Sequence, residues 1–259
     1  MTTDRDELPP LPSSPAPVAA PSFVLPESVA GNVRFLAGRV EEVALCFFEN
    51  AACLAYTERD LPPDLRDLPL RWHVHLPFDL PWPETASAAA CRPALDAVQR
   101  LLDKIAFLAP RCAVLHAPNA PTDVRQELLR HAARFWREYH DIPLLLENTY
   151  NCDVLELGEG FLDEAGLGFC LDVGHLLGYA QHALRTSALP SRAALLHWSA
   201  PCGRDAHAAL TRLTEEEHVL LRELMPRLSA GAVHLLEIFR WRALEESLPV
   251  LARLRGLAS

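Results

Sequence analysis

Glycine is scarce in this chain, with 11 in 259 residues against 22 prolines. That leaves little material for a Gly-rich phosphate cradle, and none follows the first predicted strand. Basic charge is scarce too. Lys and Arg number 24 against 34 Asp and Glu, a formal net charge of −10. No basic cluster stands out to grip a nucleic-acid backbone, so no nucleic-acid partner is expected. No apolar run approaches the ~18 residues of a membrane-spanning helix. The charged start at residues 2–7 does not suit a secretory signal. The seven cysteines, at 46, 53, 91, 112, 152, 170 and 202, form no CxxC pair. Odd in number and scattered through apolar runs, they read as buried reduced thiols of a cytoplasmic protein. No GxSxG motif or matched Cys–His–Asn pattern offers a protein nucleophile.

Apolar residues are plentiful. The chain is 50% hydrophobic and 22% charged, with mean hydropathy +0.05, which suffices for one well-buried core. Residues 1–21, rich in Pro, Ser and Ala, are expected to form a flexible tail. Beyond them, short apolar runs alternate with stretches of helical period. Strands are predicted at 22–25, 43–48, 71–76, 112–116, 143–147, 168–172, 194–198 and 233–238. Helices are predicted at 93–108, 124–139, 215–228 and 244–254. This rhythm predicts an α/β fold, a single (β/α)8 TIM barrel over residues 22–259. A doubly wound open sheet fits less well, having fewer strands.

In such a barrel, chemistry collects at the C-terminal ends of the strands. Strand three ends in His73-Val-His75, strand four in His116, strand five in Glu147-Asn148 and strand six in Asp172-Val-Gly-His175. Strand seven ends in His197-Trp198 and continues through Arg204-Asp205-Ala-His207; strand eight carries Glu237. Random placement poorly explains this crowding of six of the eleven histidines. A carboxylate inside an apolar strand is costly unless paired or metal-bound. Three converging on one rim repel each other without a cation between them. Mixed His and carboxylate donors suit zinc, with manganese or iron as alternatives, better than calcium or magnesium. His234 lies early in strand eight and reads as a core histidine. Glu49 is as well explained as a loop acid. Asp79, Trp82, Asn148, Tyr150, Trp198 and Arg204 are candidate pocket residues, as is His73. Leu76, Phe78, Trp82, Leu176, Leu177 and Trp198 read as an apolar rim suited to a bulky substrate.

The order of these residues resembles the xylose-isomerase-like barrel superfamily, which includes sugar epimerases and the endonuclease-IV type of abasic-site nuclease. Glu147, Asp172, His197 and Glu237 match the epimerase core. His75, His116, the Asp172-x-x-His175 pair and the Asp205-x-His207 pair match the additional ligands of the nuclease branch. Of His73 and His75, His75 is preferred as the ligand because it lies nearer the rim. The resemblance implies two or three metals. Glu147 would bridge one held by His75 and His116 to a second held by Asp172, His197 and Glu237, with a third on His175, Asp205 and His207. Within the superfamily the chain is most similar to cobamide-remodelling phosphodiesterases, through NVRFLAGRVEEVALCFFEN, HVHLPFDLPW, LLLENTYN, LDVGHLLGYA, GRDAH and HLLEIF. That likeness implies a metal-dependent phosphoric diester hydrolase, with Glu147, Asp172 and Glu237 as its catalytic carboxylates. Its substrate would be a small-molecule corrinoid, cut at the nucleotide-loop phosphodiester. The rival readings are an abasic-site nuclease, a sugar isomerase or epimerase needing one metal, and a non-catalytic corrinoid- or metal-binding barrel.

Overall fold

A computed structural model describes residues 18–203 and 207–256. The barrel strands are β1 (Val18–Pro21), β2 (Glu42–Cys46), β3 (Arg71–His75), β4 (Ala113–His116), β5 (Leu144–Glu147), β6 (Gly168–Asp172) and β7 (Leu195–Trp198). Two short strands, β8 (Ala200–Pro201) and β9 (His207–Ala208), pair antiparallel outside the barrel. The eighth barrel strand is β10 (Val233–Leu236), which pairs in parallel with β7 and β1 and closes the ring β1-β10-β7-β6-β5-β4-β3-β2. The fold is a (β/α)8 barrel, as the alternation predicts.

The strands alternate strictly. Leu145, Cys170, Leu195, Val233 and Leu235 face inward and join Ala19, Ala44, Cys46 and Val114 in one interior cluster. Their neighbours Leu144, Leu146, Leu171, Leu196, Trp198 and Leu236 face outward into the larger core under the helices. Each buried side chain of this size contributes ~1.5–3 kcal/mol. The helix Ala88–Ile105 shows how that outer layer forms. Ser87 caps it by accepting from the Ala90 N–H, and Cys91, Ala94, Leu95, Val98, Leu101, Leu102 and Ile105 make a buried stripe. Among the described residues no helix is long and apolar enough to cross a membrane.

Several expected boundaries move, each for a local reason. The first strand lies at Val18–Pro21, where Ala19 pairs with Glu42, and not at 22–25. Asn32 explains this: its Oδ1 accepts from the Val24 and Leu25 N–H groups, both at 2.8 Å, withdrawing them from the ladder. Residues 18–21 are therefore barrel and not tail, while residues 1–17 lie outside the described residues. The helix expected at 93–108 starts earlier because Ser87, not Pro93, supplies its cap. The one expected at 215–228 ends at Leu224, and Met225–Arg227 tightens to a 3-10 turn at Pro226.

Candidate metal centre

The C-terminal ends of β3 to β7, and the residue after β10, bring their polar side chains to one place. One ligand atom each from Glu147, Asp172, His197 and Glu237 lie within 4.8 Å of one another, and so do those of His75, His116 and Glu147. Glu147 belongs to both groups. Its Oε2 lies 3.2 Å from His75 Nε2, 3.4 Å from His116 Nε2 and 3.5 Å from His197 Nδ1. His197 Nδ1 also stands 3.1 Å from Glu237 Oε2 and 3.9 Å from Asp172 Oδ2. Beneath this layer the Cys170 thiol shares the surroundings of Glu147 and His197.

Local geometry explains the spacing of the donors. His75 Nδ1 is 3.0 Å from the Leu76 carbonyl, to which it donates, leaving Nε2 free to face Glu147. Asp172 caps the short helix Val173–Gly178, its Oδ1 accepting from the His175 N–H at 2.5 Å. A cap-to-N3 contact spans three residues, so the Asp-x-x-His spacing delivers His175 to the same rim. Gly174 permits the packing, since a Cβ there would come within 2.3 Å of Ser199 Oγ. His175 Nδ1 lies 2.9 Å from the Asn148 carbonyl, 3.4 Å from Glu147 and 3.6 Å from Asp172. The His207 and His175 rings are 5.7 Å apart, with His207 Nδ1 3.7 Å from Glu237 Oε2.

The electrostatics are those of too much charge in too little water. Burial opposes ionisation of Glu147, but the neighbouring His197 and His116 hold its carboxyl well below the usual range. Glu237 is likewise held low against burial by His197 and His207. Asp172 is pushed up to about 6, by burial first and then by Glu237 and Glu147, with His175 opposing. Burial pulls His175 down, but Asp172 and Glu147 carry it to about 10. Glu147 Oε1, Asp172 Oδ2, Glu237 Oε2, His116 Nε2 and both His197 nitrogens are buried without a hydrogen-bond partner among the described residues. Orphaned donor atoms converging like this fit a divalent metal with mixed His and carboxylate ligands.

His75, and not His73, belongs to this centre. His73 lies one layer deeper, fully buried, with Nδ1 2.6 Å from Glu42 Oε1; it is not a pocket residue. Trp198 faces outward, is 0% exposed, and donates to His234 Nδ1 at 3.0 Å. It therefore does not line the mouth, and neither do Leu76 and Leu176, which sit in the outer core. Asn148 is also closed to substrate. Its Oδ1 accepts from the Asp172 N–H and its Nδ2 donates to the Asp172 carbonyl and to Gln181, tying β5 to β6. Asp79 is exposed and accepts from the Asn50 N–H at 2.6 Å, bracing the helix Asn50–Leu54. Trp82 and Leu177 pack at the edge of the outer core. Glu49 points to solvent; Phe78 and Tyr150 are exposed, at 60% and 54%. Arg204 and Asp205 lie outside the described residues. A cleft of about 980 Å³ opens at the other end of the barrel, past Arg39, Leu68 and Arg255, and contains no histidine.

Sequence reasoning missed Glu42, whose burial nothing in the Glu41-Glu42 pair announces. It also missed Phe23, Phe48 and Phe239, which pack on the interior cluster at the mouth. Their signal was available: each continues the inward alternation two residues beyond Pro21, Cys46 and Glu237.

No family model matches the chain, and no curated protein does. Solved structures do. A D-tagatose 3-epimerase-like protein superposes with a TM-score of 0.69 at 17% identity, covering 93% of this chain and 98% of its own. Endonuclease IV from Thermus thermophilus gives 0.67 at 21% identity, covering 93% and 99%. An IolI protein with a bound zinc atom gives 0.62 at 10% identity, covering 93% and 96%. At these identities the likeness is one of fold, and it spans both epimerases and nucleases.

Proposed function

We propose that this chain is a metal-dependent phosphodiesterase that hydrolyses the nucleotide-loop phosphodiester of cobamides. The observation that carries the hydrolase part is the sharing of Glu147 between two donor groups, His75–His116 and Asp172–His197–Glu237. A mononuclear epimerase needs only the second group and leaves His75 and His116 without a task. Divalent metals bound there, with zinc the best match to the donors, supply an activated water and neutralise charge on phosphoryl oxygens and the leaving alkoxide. The protein's own contribution is placement. Glu147 keeps both donor groups in register, the Leu76 carbonyl orients His75, and Asn148 fixes the backbone of Asp172. His175 and His207, with Asp205 from the sequence pattern, are assigned to a third position.

The corrinoid part rests on the sequence likeness and on charge. A net charge of −10 opposes a duplex phosphate backbone, whose binding proteins gain affinity through Lys and Arg contacts. The test is incubation of metal-loaded protein with a complete cobamide, read by mass spectrometry, beside an abasic DNA duplex. Release of the lower-ligand nucleoside or its phosphate is the expected result. Nicking of the duplex with an intact cobamide would transfer the assignment to DNA repair. A metal content of one per chain would favour the epimerase.

A further inference from the structure

The mouth of the barrel is divided. Around β3 to β7 it presents the metal donors. Around β1, β2 and β10 it presents phenylalanine. Phe23 and Phe48 lie with ring centroids 5.5 Å apart, and Phe48 and Phe239 5.3 Å apart in an edge-on arrangement. Phe239 in turn meets the His207 ring edge-on at 5.3 Å. All three pack on the interior cluster, whose own members are at most 2% exposed, yet each is itself only half-buried. A column of fully buried side chains thus ends in aromatic surface left to water, which is unfavourable unless something apolar covers it.

Resting on the phosphodiesterase reading, we propose that Phe23, Phe48 and Phe239 form a subsite for an aromatic ring carried on one ester arm of the substrate. Three points favour a ring over a flexible chain or a sugar. The wall is built of rings at edge-on and tilted angles, which favour another ring in offset or edge-to-face contact. No charged side chain is among the three residues, so a sugar hydroxyl would lose water there without a partner. The wall also reaches the donor set through the Phe239–His207 contact, placing a ring on it within one residue's reach of a phosphorus at the metal centre. In the cobamide reading this ring is the base of the nucleotide.

The subsite is tested by binding, separately from turnover. Calorimetry on the metal-loaded protein compares phenyl phosphate with methyl phosphate, which share the phosphoryl group and differ in the ring. The expected Kd ratio is about tenfold in favour of phenyl, equivalent to about 1.4 kcal/mol. Phe48→Ala brings the ratio to about one, and Phe48→Tyr, which keeps the ring, restores it. Phe48 touches no donor residue among its ring contacts, so this ratio does not report on the metals. Equal affinities in the unmodified protein, or a ratio untouched by Phe48→Ala, would overturn the proposal, as would failure to bind either phosphate. The first comparison needs no variant, so it decides the matter even where Phe48→Ala fails to fold, and Phe23→Ala reads the wall from its other end. A tenfold ratio in a protein that cleaves no phosphodiester would sink the phosphodiesterase reading and keep the subsite.

Discussion

Two buried clusters of carboxylate and imidazole share this barrel, and they are completed differently. In the lower one Glu42 is 0% exposed. Its Oε1 lies 2.6 Å from His73 Nδ1, and its Oε2 takes a bond from Arg111 Nη1 at 3.0 Å with Arg71 Nε at 3.7 Å. Burial works against the Glu42 charge, but His73, Arg111 and Arg71 still hold its carboxyl below the ordinary value. One atom, His73 Nε2, is left over. Among the described residues, Glu147, Asp172 and Glu237 in the upper cluster have oxygens without a hydrogen-bond partner, and the only counter-charges in reach are imidazoles. The chemistry of the side chains is the same. The difference is that the lower cluster is completed by two arginines, whereas the upper one has, among the described residues, imidazoles alone.

The largest effect should come from breaking the upper cluster at its shared member. Glu147→Gln keeps the shape and removes the charge common to both donor groups, so turnover should fall by roughly three orders of magnitude or more. Metal content should fall too, while the fold persists, because one of three mutually repelling carboxylates is gone. Near-normal phosphodiester hydrolysis by this variant would defeat the role given to Glu147. The lower cluster should respond the opposite way. Glu42→Ala leaves the buried His73 imidazole without its carboxylate, while Arg71 keeps Glu41 as a partner, and breaking a buried pair costs ~3–5 kcal/mol. The low end applies here, since Arg111 and Arg71 are half exposed, at 42% and 50%, and can turn to water. Denaturant unfolding should show that loss with metal stoichiometry unchanged. Loss of metal at unaltered stability would erase the distinction between the clusters.

Why the upper cluster was legible in the sequence and the lower was not follows from position along the strand. Glu147 and Asp172 end strands that are otherwise apolar, and His197 is the one polar residue of its own, so each stands out against its strand. Glu42 begins its strand beside Glu41, which is exposed, and the pair looks like ordinary surface charge. Alternation also separates neighbours that the sequence presents together. His197 turns into the barrel and Trp198, one residue on, turns out, so adjacency in the motif did not make Trp198 a wall of the site. The aromatic wall lay just past the strand ends, where the alternating pattern is no longer bounded by a ladder. The first strand was displaced by a side chain, Asn32, whose hydrogen bonds to Val24 and Leu25 are not written in any local propensity.

A third buried imidazole sharpens the comparison, with the smallest effect. His234 is 6% exposed and, among the described residues, has neither a carboxylate partner, as His73 has, nor orphaned carboxylates around it, as His197 has. Its Nδ1 accepts the Trp198 indole N–H at 3.0 Å, which requires that nitrogen to be unprotonated. Burial, aided by Arg255, pushes its pKa down from 6.5 to about 4. The folded form therefore resists a proton that the unfolded chain accepts near pH 6.5, so stability is present above that pH and is lost as the pH falls toward 4. Across that window the loss amounts to about 3 kcal/mol. The carboxylates also titrate there, so the measurement is a difference: unfolding free energies of the unmodified protein and of His234→Gln, which keeps an acceptor for Trp198, followed from pH 7 to pH 4. The two curves should converge on acidification, because the glutamine takes up no proton. Curves that ran parallel would show that His234 takes up its proton in the folded barrel as readily as in the unfolded chain, and below pH 6.5 the indole would then need another acceptor.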